Sequence, residues 1–213
     1  MLMGTEREAI VEYCIKLIER GLTKGTGGNI SIFDREKKLM AISPSGLDYY
    51  KTKPEDVVVL DLAGNVADGR RKPSSEYQLH RVFYEKRSDI NSVVHCHSMF
   101  SAVLSCLRWP IPASHYMIAL AGKDVRCAEY ATFGTQELAD HAYEAMKDRN
   151  AVLLANHGLL AASADLANAF NIAEEIEFCA EIYYRSKCVG EPVILSDEEM
   201  ALMAQKFSTY GKV

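Results

Sequence analysis

Residues Ala151–Asn156 (AVLLAN) form a near-continuous apolar run that ends at His157-Gly158. A run this short and this apolar reads as a strand buried on both faces, in a sheet that carries helices. The rest of the chain supplies those helices. Thr5 and Glu8 form a capping-box pattern, after which Ile10, Cys14 and Leu17 recur at helical spacing up to a stop at Gly21. Pro73-Ser74-Ser75 leads into a helix from Glu76 to about Lys86, with the serines placed as caps. Met99–Leu107, Thr135–Lys147 and Asp165–Cys188 read as further helices, and Ser196 with Glu199 opens a last one. Between them lie short strand-like runs at Ile30–Phe33, Leu39–Ser43, Val57–Leu62 and Ser92–His97. Trp109-Pro110-Ile111-Pro112 must be extended. The pattern is one mixed α/β domain with a sheet flanked by helices.

Charge narrows the function classes. Lys and Arg number 24 against 29 Asp and Glu, so the net charge is −5. Coating nucleic acid or lying on a membrane surface needs a basic field, so neither partner is expected. No stretch approaches the roughly eighteen apolar residues of a membrane span. The start MLMGTEREAI does not read as a signal peptide, and the six scattered cysteines contain no C-x-x-C. Reduced thiols and a cytoplasmic location are expected.

His95-Cys96-His97 is the sharpest local signal. Residues two apart on a strand share a face, so both imidazoles point one way and Cys96 the other. Two polar residues on a solvated strand face would give the same pattern. His157, at the end of the apolar strand, is well placed as a third ligand, although it also reads as a capping or loop histidine. Three histidines with one carboxylate or water form a catalytic zinc set. Glu76 is the best carboxylate, while its place at a helix start also suits the helix dipole alone. His80, one turn on, ranks lower because helix packing accounts for it. His115 and His141 read as structural.

Three segments are suited to an anion. Gly25–Asn29 can form a nest of backbone N–H groups, Ser45-Gly46 offers a hydroxyl and an open amide, and Ser74-Ser75 precedes a helix. Each is also an ordinary tight turn. Arg70-Arg71-Lys72 adds charge nearby, or is simply a solvated loop. Neither G-x-x-x-x-G-K-[ST] nor G-x-G-x-x-G is present, so nucleotide binding is poorly supported.

The ordered set GLTKGTGGN (21–29), SPSG (43–46), KPSSE (72–76), VVHCH (93–97), HYMIA (115–119), YATFGT (130–135), ANHGL (155–159), LSDEE (195–199) and KFSTYG (206–211) resembles the class II sugar-phosphate aldolase/epimerase family. The resemblance spans nearly the whole chain. It implies a single three-layer α/β/α domain over 1–213, with a mixed, largely antiparallel central sheet. It implies one zinc ion per subunit on His95, His97 and His157, with Glu76 as a fourth ligand at rest and as general acid/base in the reaction. Phosphate would be bound by Thr26, Gly28, Asn29, Ser45, Gly46, Ser74 and Ser75. Tyr116 would reach in from a neighbouring subunit, Tyr210 would act from the C-terminal tail, and Phe133 would wall the aldehyde's methyl group. The expected reaction is reversible cleavage of L-fuculose 1-phosphate, or a close ketose 1-phosphate, to dihydroxyacetone phosphate and L-lactaldehyde through an enediolate. A homotetramer with sites at its interfaces is expected.

Relatives within that family act as L-ribulose-5-phosphate 4-epimerases, or as aldolases or dehydratases on 5-deoxyribulose and methylthioribulose 1-phosphates. The epimerase branch usually carries Asp in place of Glu76 and of Tyr116, so both positions favour an aldolase. Adducin-like scaffolds share the fold without the metal site, whereas this chain keeps all four candidate ligands.

Overall fold

A computed structural model describes residues 1–209, the side chain of Ser208 excepted. Tyr210 therefore lies outside the described residues. Eight strands form one sheet: β1 (Asn29–Asp34), β2 (Leu39–Ile42), β3 (Val58–Asp61), β4 (Val66–Asp68), β5 (Ser92–Cys96), β6 (Cys127–Ala128), β7 (Ala151–Leu154) and β8 (Gly158–Ser163). Their order is β4-β3-β2-β1-β5-β8-β7-β6. Every pairing is antiparallel except β6 with β7, so the sheet is mixed and largely antiparallel as expected.

The period-two rule divides the core. Val94 and Cys96 of β5, Leu159 and Ala161 of β8, and Ala151 and Leu153 of β7 enter one apolar cluster. Helices α1 (Gly4–Glu19), α3 (Met99–Leu107) and α5 (Leu166–Val189) close it. Val93, Leu160, Ala162, Val152 and Leu154 enter the other cluster, beneath α2 (Tyr77–Lys86) and α4 (Gln136–Ala145). The result is three layers, with the sheet in the middle. A last helix, α6 (Asp197–Thr209), packs on the 3-10 turn Tyr116–Leu120.

Side-chain caps form at the starts of α4, α5 and α6 but not at those of α1, α2 and α3. Thr135 Oγ1 accepts from Leu138 N–H at 3.2 Å, Asp165 from Asn168 N–H, and Ser196 Oγ from Glu199 N–H. The Thr5–Glu8 capping box does not form. The helix begins at Gly4, behind a left-handed, buried Met3, so Thr5 already lies in the first turn. Two short strands, β4 and β6, and the longer β8 carry no sequence signal. β8 reads GLLAAS, small residues without a β-branch, and pairing with β5 and β7 makes it a strand.

Candidate active site

The end of β5 organises the site. Asn29 of β1 pairs with His95 on one side and Leu160 of β8 pairs with it on the other. β7 and β8 form a tight hairpin through Ala155-Asn156-His157, with Asn156 left-handed at φ 55°. His157 thus sits in the turn of a tight hairpin rather than in an open loop. Glycine permits the close approach on both flanks of β5. A Cβ on Gly158 would lie 2.4 Å from Cys96 O. At Gly28, where φ is +74°, it would lie 2.6 Å from His95 O.

Three imidazoles converge here. His95 Nε2 lies 3.0 Å from His97 Nε2 and 3.2 Å from His157 Nε2. Glu76 brings Oε2 to 3.5 Å from His95 Nε2 and Oε1 to 3.5 Å from His157 Nε2. His95 Nδ1 is 2.9 Å from the carbonyl of Leu159, which can only accept, so His95 carries its hydrogen on Nδ1 and turns an Nε2 lone pair inward. Burial first, and then the neighbouring histidines, hold His95 well below its ordinary pKa. His97 is lowered by burial and by His157. His157 is lowered by burial, against the opposing pull of Glu76. Neutral imidazole is the metal-binding form.

The donor set fits a divalent cation. Lone pairs crowded at about 3 Å repel unless a positive charge sits among them, and nitrogens on a tetrahedral zinc with Zn–N of roughly 2.0–2.1 Å lie about 3.3 Å apart. Glu76 Oε1 is buried without a hydrogen-bond partner, and such an atom is costly unless a metal, a proton or a ligand satisfies it. Among the described residues, His95, His97 and His157 are the group of His, Cys, Asp or Glu able to hold a metal ion.

Above the histidines opens a cavity of ≈ 390 Å³. It is lined by Thr26, Gly28, Asn29, Ser45, Gly46, Ser74, Ser75, Glu76, His97, Phe133 and His157, together with Gly27 and Pro44. The three anion-suited loops are tied to one another. Tyr49 OH donates to Gly28 O at 2.6 Å, Pro44 bridges Pro73, and Ser45 N–H donates to Lys72 O at 3.0 Å. Ser74 Oγ accepts from Glu76 N–H at 3.2 Å and so shapes the turn ahead of α2, but the N-cap position is Glu76 and no side chain caps the helix there, so the expected serine cap does not form. No Lys or Arg is among these lining residues. Hydroxyls and backbone N–H groups are what the cavity offers an anion. Arg71 is engaged instead with Asp56 at 2.7 Å.

Not every expected residue joins this cavity. Tyr116 borders a separate hollow of ≈ 290 Å³ with Met117, Met203, Lys206 and Phe207. Its ring stacks on Phe207 at 6.1 Å and is 46 % exposed.

A family comparison decides the identity. Residues 8–184 match the family described as Class II Aldolase and Adducin N-terminal domain. The chain belongs to this family. A 5-deoxy-D-ribulose 1-phosphate aldolase from Bacillus thuringiensis serovar kurstaki is 59 % identical over 212 residues, 100 % of both chains. An L-fuculose phosphate aldolase from Escherichia coli O6:H1 is 43 % identical over 204 residues, covering 95 % of this chain and 94 % of that one. Among solved structures, an L-fuculose 1-phosphate aldolase superposes with a TM-score of 0.96 at 58 % identity, covering 98 % of each chain. The protein is thus a class II aldolase, a lyase, in a family whose members typically use a metal. No helix among its described residues is long and apolar enough to cross a membrane.

Three supporting residues escaped sequence reasoning. Glu177 of α5 accepts from Phe100 and Ser101 N–H and from the Ser98 and Ser101 hydroxyls, and so fixes the turn after His97. It is 79 residues from Ser98, and no local pattern points to it. Tyr49 pins the glycine loop, as described above. His80 is buried, as a packing residue would be, and there it also hydrogen-bonds Asn29 and Ser31. Its signal was available: Glu76, His80 and Tyr84 recur at four-residue spacing on one face of a helix.

Proposed function

We propose that the protein cleaves a deoxyketose 1-phosphate reversibly to dihydroxyacetone phosphate and a short methyl-bearing aldehyde. The observation that carries this is the convergence of three neutral imidazoles and Glu76 in a cavity whose remaining polar lining consists of neutral anion donors. His95, His97 and His157, with Glu76, would hold one zinc ion per subunit. When bound, zinc polarises the ketose carbonyl and stabilises the negative charge left as the C3–C4 bond breaks.

The chain's own groups do the rest. Thr26, Gly28, Asn29, Ser45, Gly46, Ser74 and Ser75 surround the phosphate, which fixes the distance from phosphate to reacting carbons. Glu76 delivers a proton to C3 in cleavage and removes it in synthesis. Phe133, 65 % exposed at the cavity rim, covers the aldehyde's methyl end. Tyr116, supplied by a neighbouring subunit of a homotetramer, takes the proton of the C4 hydroxyl. Its exposure and its place outside its own cavity support that assignment. Tyr210 is read as a second tyrosine of the same end.

The relatives' names support two substrates, 5-deoxy-D-ribulose 1-phosphate and L-fuculose 1-phosphate. Their aldehyde fragments, acetaldehyde and L-lactaldehyde, differ by one CHOH group. Relatives named for the one and for the other stand at 59 % and 58 % identity over nearly the whole chain, so both are candidates to be assayed side by side. Purified protein should release dihydroxyacetone phosphate from one or both, and a chelator should abolish release until zinc is restored. Release that survives complete metal removal would sink the metal-dependent reading. Absence of release from zinc-loaded protein would sink the aldolase assignment for these substrates.

A further inference from the structure

Behind Glu76 a file of buried polar groups runs away from the cavity into the core. Asn29 Nδ2 donates to Glu76 Oε2 at 2.9 Å. Asn29 Oδ1 meets His80 Nε2 at 2.5 Å, and His80 Nδ1 meets Ser31 Oγ at 2.7 Å. Ser31 Oγ in turn lies 2.5 Å from Tyr84 OH. Asn29, Ser31, His80 and Tyr84 are all buried. Asn29 and Ser31 alternate on β1, while Glu76, His80 and Tyr84 lie one turn apart at the start and along one face of α2. Strand and helix periods therefore mesh at this one line.

The hydrogens can be assigned by what each group is able to do. A carboxylate only accepts, so Asn29 turns its NH₂ to Glu76 and its oxygen to His80. An amide oxygen only accepts, so His80 carries its hydrogen on Nε2 and accepts at Nδ1 from the Ser31 hydroxyl. Ser31 Oγ then accepts from Tyr84, whose hydroxyl is also 3.1 Å from Ser31 O. Every hydrogen in the file points toward Glu76. Oε2 is thereby committed as an acceptor, whereas Oε1 has no hydrogen-bond partner. The two oxygens of Glu76 are not equivalent.

We propose that His80 is a positioning residue for Glu76: its Nε2–H fixes the Asn29 amide against Oε2, so that the proton exchanged with substrate is carried by Oε1. This rests on the reading of Glu76 as the acid/base. His80 touches neither substrate nor the histidine cluster, and acts through Asn29 alone. Burial first, and then the nearby His95 ring, lower its pKa to about 3, which keeps the ring neutral with a single hydrogen to place. A hydrogen-bond file with one permitted polarity rigidifies a carboxylate more than isolated contacts do.

Two measurements test this on the full-length, zinc-loaded protein. Long-range ¹H–¹⁵N correlation of the histidine rings should show His80 as the Nε2–H tautomer between pH 6 and 9. An Nδ1–H tautomer would overturn the assignment. In kinetics, His80→Leu should lower kcat by roughly 10- to 100-fold, with KM and bound zinc within about twofold of wild type. His80→Gln, which keeps a donor near the Nε2 position, should recover most of that loss. Unchanged kcat in His80→Leu, or equal losses in the Leu and Gln variants, would reduce His80 to a packing role. The tautomer is read on wild-type protein without turnover. A wrong tautomer therefore fails the file, whereas absence of dihydroxyacetone phosphate release fails the aldolase reading.

Discussion

The cavity above His95 and the hollow beside Tyr116 are finished to different degrees within one chain. Around the cavity, each loop is held by backbone or buried side-chain hydrogen bonds: Tyr49 on Gly28, Ser45 on Lys72, Asn29 on Glu76. Around Tyr116 the hollow is lined mainly by rings and thioethers, with Lys206 beside them. Tyr116 stacks on Phe207, His115 meets the edge of Phe178 at 5.7 Å, and Met117 and Met203 line the space between α6 and the 3-10 turn. Groups that must meet charge at set distances are fixed by directional bonds, because an unpaired buried polar atom costs roughly 1–3 kcal/mol. A partly exposed aromatic surface has no such demand. It suits burial against a second chain, where tyrosine contributes both an apolar ring and a hydroxyl.

The sharpest way to break this division is at Glu76. Glu76→Gln should keep zinc, since a carboxamide oxygen still ligates, yet should lose roughly 10²–10⁴ in kcat, the usual worth of a positioned acid/base. Turnover near wild type, measured beside metal content, would remove the chemistry from the cavity end.

Tyr116→Phe probes the other region. The expected result is about 10- to 100-fold slower cleavage, with dihydroxyacetone phosphate binding unchanged by calorimetry. Should the substitution abolish that binding instead, Tyr116 belongs to the phosphate end and the division of labour is misplaced.

The smallest effect on rate is expected at Gly28→Ala. The added Cβ would press on His95 O in a backbone conformation that L residues rarely adopt, which should cost about 1–3 kcal/mol in stability. A lowered Tm with weaker phosphate-ligand binding and a kcat within a few-fold of wild type would place the rigidity of the glycine loop on the binding side. An unchanged Tm would show that β5 and this loop yield more easily than their packing implies.

The site was legible to different depths. His95 and His97 follow from strand periodicity, and the glycine and serine loops follow from turn chemistry. His157 was visible as the end of an apolar run, yet its hairpin was not, because β8 is a strand only through its neighbours. His80 is buried as its packing reading expects, but its polar partners, Asn29 and Ser31, lie 51 and 49 residues away on β1 and so are not visible in the local pattern. Glu177 could not be seen at all. A carboxylate inside a 24-residue helix looks like any solvated charge until another helix start is brought against it.

By itself, the sequence determined the periods: which residues face inward, where helices begin, and which loops have the glycine to approach a strand closely. Those are local properties, set by φ/ψ sterics and by hydrophobic spacing within a few residues. Only the tertiary structure decided which side chains share a hydrogen. The polarity of the file from Tyr84 to Glu76, and the inequivalence of the two Glu76 oxygens, arise where a strand of period two meets a helix of period 3.6. That meeting depends on hydrogen-bond distances of 2.5–2.9 Å between segments about fifty residues apart, and no pattern along the chain encodes it.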